Sequence, residues 1–204
     1  MYNDEVLKLF KENSGYLSSA DLQRHKVHTS IIRAFVEQGR IERIKRGLYR
    51  LPPEELLQDQ TFTHDYFDAA MAVPKGVFCL KTGLYYYGLT TYNPTQFDMA
   101  IPPTNRSAKI LTAAVRFYRF KEPFYSNHIE HIKTSLFPIK MYNKERTVCD
   151  VVRMRHIVGE DIAMEGLNAY LKQQKKDINQ LLSMARFCKV KHIVEPAVKA
   201  MTGF

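Results

Sequence analysis

Hydrophobic positions in the first fifty residues recur first with the period of helices and then with that of strands. An apolar stripe over residues 3–13 predicts a helix, and Ser18 or Ser19 is a suitable N-cap for a second, short helix. A third helix is predicted at 29–38, followed at 40–51 by two short strands around a basic, glycine-containing hairpin tip. This order of helix, short helix, turn, helix and hairpin is that of a winged helix-turn-helix.

A Pro52-Pro53 pair separates this region from the rest of the chain, because adjacent prolines cannot continue a strand ladder. We therefore expect a winged helix-turn-helix domain at 1–56 and a larger domain at 61–204. Strands of the larger domain are predicted to precede four closing helices, which favours an α+β fold with a mostly antiparallel sheet. The predicted strands lie at 77–80, 97–101, 115–120, 129–133 and 136–141, and the predicted helices at 64–73, 81–88, 144–156, 160–173, 178–188 and 191–201.

Composition narrows the class of protein. The chain has 204 residues and a formal net charge of +9, which favours a polyanionic partner such as nucleic acid. No apolar run approaches the length of a membrane span and the N-terminus lacks a signal-peptide core, so we expect a cytoplasmic protein. Three widely spaced cysteines predict neither a disulfide framework nor a zinc finger. No phosphate-binding loop or dinucleotide motif is present, so no cofactor is predicted.

Positive charge is concentrated around the third helix and the hairpin. Eight Lys or Arg residues and only two acids lie between Leu22 and Arg50. Small polar groups and one arginine on a helix can enter the DNA major groove, and a helix N-terminus can donate N–H groups to phosphate. The alternative is a protein-interaction module whose charges are solvated. We predict DNA binding by Ser18, Arg24, Lys26, His28, Thr29, Ser30, Arg33, Lys45 and Arg46.

The larger domain holds two further candidate surfaces. One is a run of five basic residues without an acid: Arg106, Lys109, Arg116, Arg119 and Lys121. These residues would extend the DNA footprint, contact an acidic protein or RNA, or only protect an edge strand through charge. The other is a candidate partner-binding group of Lys81, Tyr85 and Tyr86, because cations and aromatic rings stack on bases. A helix that merely buries an apolar face is the alternative for this second group.

Candidate catalytic residues are few. Asp98, Glu130 and Lys133 are the residue types of metal-dependent nucleases, but Glu130 and Lys133 are three apart in a predicted strand and project to opposite faces. Arg146 and Asp150 are four apart on a predicted helix, which favours an intrahelical salt bridge over catalysis. We therefore assign no catalytic residue and no metal ligand, and we predict that the protein is not an enzyme.

Several segments of the chain are distinctive: the R-G-L-Y-R-L-P string at 46–52, the E-R-T-V-C-D string at 145–150, and the segments 76–90 and 101–102. In these segments, and most specifically in the first two strings, the chain resembles AbiEi-type abortive-infection antitoxins, a family of transcriptional regulators of type IV toxin–antitoxin systems. Tyr87 stands where a histidine is common in the family. The resemblance implies an antitoxin and autorepressor of a phage-defence operon. It also implies that the first domain binds double-stranded operator repeats and that the second counteracts a nucleotidyltransferase-like toxin.

Two other functions stay open at the level of sequence. One is a metal-dependent nuclease that a winged helix targets to DNA, and the other is a host transcription regulator without a toxin. The antitoxin mechanism is open as well: the second domain would bind the toxin directly, compete for the toxin's RNA target, or leave control to transcription alone. The operator sequence and the oligomeric state are not predicted.

Overall fold

The computed structural model describes residues 2–106 and 109–202. Within these residues the fold is mixed α+β, with ten α-helices and two sheets. The chain forms two compact units, each built from separate stretches of sequence. The first unit contains the chain up to Pro74 together with Arg106–Ala114 and Ile132–Ile139, and the second contains Lys75–Asn105, Val115–His131 and the chain from Lys140 onward.

The first unit contains the three helices and the hairpin that the hydrophobic pattern predicts. A third strand, which the pattern does not predict, completes an antiparallel sheet with the strand order β1-β3-β2. The elements are α1 (Tyr2–Glu12), β1 (Tyr16–Ser18), α2 (Ser19–Arg24), α3 (Thr29–Glu37), β2 (Glu42–Lys45), β3 (Leu48–Arg50), a short 3-10 turn (Pro53–Glu55) and α4 (His64–Ala72).

Gly15 allows the chain to leave α1 and enter the sheet. Its φ of +82° is in the left-handed region, and its N–H donates to the carbonyl of Phe10 at 2.7 Å, which closes the end of the helix. Its own carbonyl accepts from the N–H of Leu51 at 2.9 Å. A Cβ at this position would collide with the side chain of Leu56. Glycine is therefore required both by the backbone conformation and by close packing.

A buried polar network links the sheet of the first unit to α4. The hydroxyl of Tyr16 donates to Asp68 Oδ1 at 2.8 Å, and Arg50 Nη1 lies 3.5 Å from Asp68 Oδ2. Arg50 Nη2 also donates to Glu42 Oε2 at 2.8 Å. Burial raises the pKa of Asp68 above the ordinary value of a carboxyl group, although the charge of Arg50 opposes the shift. The network ties α4 to the N-terminal sheet, so the compact unit extends beyond the domain end predicted at 56.

Two segments distant in sequence complete the first unit. The N–H of Leu111 donates to the carbonyl of Ile44 at 2.8 Å. The N–H of Ser135 donates to Asp59 Oδ2 at 2.8 Å, and the ring of Phe137 packs edge-on against Tyr16 at a centroid distance of 5.7 Å. The predicted division of the chain into 1–56 and 61–204 stays a prediction about domains, while the compact units are not continuous in sequence.

The remaining elements comprise a five-stranded sheet and a layer of helices. The sheet has the strand order β6-β5-β4-β8-β7. Its elements are β4 (Val77–Phe78), α5 (Leu80–Tyr86), β5 (Phe97–Ile101), β6 (Val115–Arg119), β7 (Ile129–Ile132), β8 (Ile139–Tyr142), α6 (Lys144–Arg153), α7 (Arg155–Val158), α8 (Glu160–Lys172), α9 (Ile178–Phe187) and α10 (Lys191–Thr202).

This sheet is mixed, so the expectation of a mostly antiparallel sheet was wrong. β4 and β5 are antiparallel, whereas β5 pairs with β6 and β4 pairs with β8 in parallel. Parallel neighbours need a crossover of about a dozen residues or more. The connection between β5 and β6 spans 102–114, which is long enough for such a crossover. The sequence order of the strands alone does not distinguish this crossover from a hairpin loop.

The helix α6 carries the predicted salt bridge between Arg146 and Asp150. The Arg146 Nε–Asp150 Oδ2 distance is 2.7 Å, and both side chains are fully buried. Arg153 binds the other carboxylate oxygen of Asp150 through two nitrogens at 2.7 and 3.0 Å. The guanidinium of Arg146 also donates to the carbonyl of Phe124 at 2.8 Å, and it lies 4.7 Å from the ring of Tyr142. The pair therefore holds buried elements of the second unit together, and it is not exposed to a ligand.

Candidate nucleic-acid interface

A groove on the first unit is formed by α2, α3 and the β2–β3 hairpin. Its volume is about 350 Å³. Its floor is apolar, because Ile32 is buried and Val36 is half-buried, whereas its rim is polar or charged. The residues that line it are Ser19, Gln23, Thr29, Ile32, Arg33, Val36, Glu37, Arg43 and Tyr49.

The outer face of α3 borders this groove. Thr29, Ser30, Arg33 and Glu37 are exposed, while Phe35 on the opposite face is buried. The spacing of these exposed positions follows the helical period, so they project from one side. The outward face of α3 therefore follows from the amphipathic pattern of its sequence.

The ring of His28 caps the N-terminus of α3. Its Nδ1 accepts from the N–H of Ser30 at 3.3 Å and lies 2.7 Å from the Ser30 hydroxyl oxygen. The N–H of Ser30 is therefore already occupied. Thr29, in the same turn, has an exposed side chain that lines the groove.

The candidate residues on and around α2 are partly engaged in local contacts. The Ser18 hydroxyl accepts from the N–H of Asp21 at 3.1 Å, and the N–H of Ser18 donates to Asp21 Oδ2 at 2.9 Å, which makes a reciprocal cap. The Ser18 hydroxyl also donates to Asp21 Oδ2 at 2.6 Å, and this bond together with the one from the Ser18 N–H lowers the pKa of Asp21. Arg24 forms an ion pair with Asp21 one turn away. Lys26 lies exposed in the turn to α3, with a φ of +57°.

The two basic residues predicted at the hairpin tip differ in orientation. Arg46 is exposed, whereas the amine of Lys45 donates to the carbonyl of Ala72, the last residue of α4, at 2.5 Å. Burial lowers the pKa of Lys45. A register shift between Arg43 and Lys45 interrupts the alternation of β2. In this structure the charge of Lys45 satisfies a helix C-terminus inside the first unit.

Arg43 is a groove residue that the sequence interpretation missed. It is exposed and pairs in register with Tyr49 across the hairpin, and both residues line the groove. Arg43 lies in the same basic run as Lys45 and Arg46. Strict alternation along β2 would have put Arg43 and Lys45 on one face. The bulge between them decides which one borders the groove.

The five basic residues predicted as a second surface do not form one strand face. Arg106 and Lys109 belong to the first unit, and Arg116, Arg119 and Lys121 belong to the second. All five are exposed. On β6, Arg116 lies on the same strand face as the buried Tyr118, and Arg119 lies on the other. The alternation of a strand therefore separates Arg116 from Arg119.

The candidate partner-binding group on α5 is only partly exposed. Lys81 is 8% exposed, and its amine lies 5.1 Å from the centre of the Tyr92 ring. Tyr85, one turn further along α5, is 43% exposed. Tyr86 is half-buried and packs edge-on against Tyr87 at 4.9 Å.

The nuclease-like acids do not converge. Asp98 is fully buried on β5, and its Oδ2 accepts from the N–H of Lys81 at 3.2 Å. Glu130 is exposed on β7 and accepts from the hydroxyl of Tyr87 at 3.1 Å. Two strands separate β5 from β7, so three interstrand steps of about 4.8 Å put these strands roughly 14 Å apart. Within residues 2–106 and 109–202, no group of three or more His, Cys, Asp or Glu residues could hold a metal ion.

Comparison with known proteins bears on the N-terminal part of the chain. No curated protein matches the sequence. No helix in the described part of the chain is long and apolar enough to cross a membrane. A family model described as "Transcriptional regulator, AbiEi antitoxin" matches residues 4–52, which include most of α1 and all of α2, α3 and the β2–β3 hairpin. Over residues 4–52 the chain is therefore similar to the AbiEi antitoxin family of transcriptional regulators.

Proposed function

We propose that this protein is a cytoplasmic DNA-binding antitoxin that represses its own toxin–antitoxin operon. In this proposal the first unit is a winged helix-turn-helix, in which α2 and α3 are the helix-turn-helix and the β2–β3 hairpin is the wing. The match of residues 4–52 to a family of antitoxin regulators supports the regulatory role. The order of helices and strands in the first unit supports the assignment of the motif.

The exposed face of α3 beside the groove is the observation that carries the proposal. A helix of nine residues is about 14 Å long, and its polar face can enter a major groove about 12 Å wide. Thr29 and Arg33 project from that face. Arg43 and Arg46 on the wing are exposed and can contact phosphates on either side of the groove.

Binding to the operator should depend strongly on salt, because each phosphate contact releases counterions. In a fluorescence anisotropy titration with the full chain and DNA from upstream of its gene, Arg46→Ala should weaken binding and reduce the salt slope by about 1. Arg33→Ala should reduce the preference for operator over scrambled DNA. Lys8→Ala, on α1, is the matched control, because it removes one exposed positive charge (76% exposed) from a helix outside the proposed interface.

Lys45→Ala tests whether every basic residue of the hairpin contacts DNA or whether Lys45 has a structural role instead. Because the amine of Lys45 binds the end of α4, its loss should lower the melting temperature while leaving the salt slope close to that of the wild type. The proposal is overturned if the folded wild-type protein binds operator repeats no more tightly than scrambled DNA at any salt concentration.

The second unit is proposed to supply the antitoxin activity. The second unit carries 17 basic and 10 acidic residues, a net charge of +7, which suits an acidic toxin surface or the toxin's RNA target. Sequencing of the neighbouring gene tests for a nucleotidyltransferase-like toxin, and its absence would favour a host regulator. A pull-down with that toxin distinguishes direct binding from competition for its target or from transcriptional control alone.

We propose that the protein acts by binding its partners and does not catalyse a reaction. The roughly 14 Å between the strands of Asp98 and Glu130 argues against a shared metal ion. A nuclease assay with Mg²⁺ or Mn²⁺ tests this part. Cleavage of DNA that is abolished in Asp98→Asn, with the fold retained, would overturn it.

A further inference from the structure

We propose that Arg33 and Glu37 act together as the base-recognition pair of α3, and that they select a guanine and a nearby cytosine in the major groove. This inference rests on the proposed function and specifies two of the bases that α3 recognises in its DNA site. It assigns a role to Glu37, an acidic residue that a surface built only for phosphate binding would not carry beside its DNA-contacting face.

The two side chains are available for a ligand. They are four residues apart on α3, and the distance from Arg33 Nε to Glu37 Oε1 is 3.8 Å. The side chain of Arg33 is 83% exposed and that of Glu37 is 69% exposed. An exposed pair at this distance is held only loosely, so both groups can turn to a base edge at little cost. Both also line the groove between α3 and the wing.

The hydrogen-bonding capacities of the two groups are opposite. A guanidinium has donors only and fits the two acceptors that guanine presents in the major groove, O6 and N7. A carboxylate has acceptors only and fits the amino donor of cytosine N4. Each group therefore also disfavours the base that suits the other.

The spacing of the pair fits neighbouring base pairs. Four residues of helix rise about 6 Å along its axis, which is less than two base-pair steps of about 3.4 Å each. With α3 in the major groove, Arg33 and Glu37 would therefore contact base pairs one or two steps apart. We expect a guanine and a cytosine at this separation in each half-site.

Glu37 should also weaken binding to DNA in general. Its carboxylate is repelled by phosphates unless a base donor pairs with it, so Glu37 contributes selectivity at the expense of affinity. Glu37→Gln removes the charge and retains the shape. This variant should bind unrelated DNA more tightly than the wild type and exchange the preference for cytosine for one for adenine, which glutamine recognises through N6 and N7.

The test is a selection of bound sequences from a randomised double-stranded DNA library, followed by anisotropy on the selected sites with the full chain. The wild type should discriminate at the guanine and the cytosine position by about 5- to 150-fold. Arg33→Lys should lose most of the discrimination at guanine, because lysine keeps the charge but not the planar fork of donors.

Glu12→Gln is the matched control. Glu12 lies 3.8 Å from Lys8, four residues before it on α1, so the variant breaks an ion pair of the same spacing and distance outside the groove. It should leave base preference unchanged. The inference is overturned if the wild type binds its selected site without a guanine–cytosine requirement, or if Glu37→Gln keeps the wild-type preference. Failure of the wild type to bind any DNA would instead overturn the proposed function.

Discussion

Replacement of Asp150 by asparagine should destabilise the second unit more than any other single charge removal on α6. The carboxylate of Asp150 is fully buried between two arginines, at 2.7 Å from Arg146 Nε and 2.7 Å from Arg153 Nη2. The thiol of Cys188 lies 3.6 Å from the same carboxylate. Asparagine keeps the size of the side chain but leaves the fully buried Arg146 without a counter-charge.

The magnitude follows from the burial of the pair. Removal of one partner of a buried ion pair costs about 3–5 kcal/mol, because the other charge stays buried and uncompensated. Arg153 is 27% exposed and can turn toward water, so the lower half of this range, about 3–4 kcal/mol, is expected. Arg146→Met alone should cost less, since Asp150 would keep its two bonds to Arg153.

The assay is urea denaturation followed by far-UV circular dichroism, since the chain contains no tryptophan to report by fluorescence. Glu195→Gln on α10 is the control: it removes one negative charge from a partly exposed pair with Lys191 at 3.4 Å and should cost less than about 1 kcal/mol. The double variant Arg146→Met/Asp150→Asn should be more stable than the sum of its parts by about 1 kcal/mol or more. The reasoning is refuted if Asp150→Asn stays within about 1 kcal/mol of the wild type and the double variant shows no coupling.

Three further predictions concern other sites. Burial raises the pKa of Asp68, so the folded state binds a proton at this carboxyl group more readily than the unfolded state does. The contribution of Asp68 to the free energy of unfolding should therefore fall as the pH rises from about 4 through the raised pKa. A pH series of urea midpoints should show this slope in the wild type but not in Asp68→Asn. Lys45→Met should lower stability by about 0.5–1.5 kcal/mol through loss of its bond to Ala72, measured as a lower melting temperature, and an unchanged temperature would contradict that contact. Gly83→Ala should cost about 1–3 kcal/mol in chemical denaturation, since its new Cβ would lie 2.7 Å from Thr147 Cγ2 on the facing helix; a neutral result would mean that α5 and α6 can separate freely.

The sequence predicts those features that depend on neighbours along the chain. The stripe over 3–13, the cap at Ser18 and the outward face of α3 follow from helical periodicity and capping chemistry. The Arg146–Asp150 bridge follows from the i, i+4 spacing of a helix. The resemblance to AbiEi regulators also depends on local strings, and the family match over residues 4–52 confirms it there.

Tertiary structure alone determined the features that depend on distant residues. β1 is three residues long and becomes a strand only by pairing with β3. The parallel pairs of the larger sheet depend on where a crossover leads, and a sequence-based assignment of strands carries no such information. The same reasoning applies to the segments 106–114 and 132–139, which the fold assigns to the first unit.

The candidate interface shows the same division at the scale of single side chains. The sequence predicts a basic hairpin and selects Lys45 and Arg46 at its tip as DNA contacts, without Arg43. In the structure a bulge separates Arg43 from Lys45 in β2, and the amine of Lys45 binds the carbonyl of Ala72 at the buried end of α4, while Arg43 and Arg46 stay exposed. The alternation of residues along the chain determines that β2 forms a strand, because alternation depends only on the local sequence. The packing of the elements determines whether a cation of that strand is buried or exposed, because the free carbonyl at the end of a helix can accept from it only once helix and strand lie together.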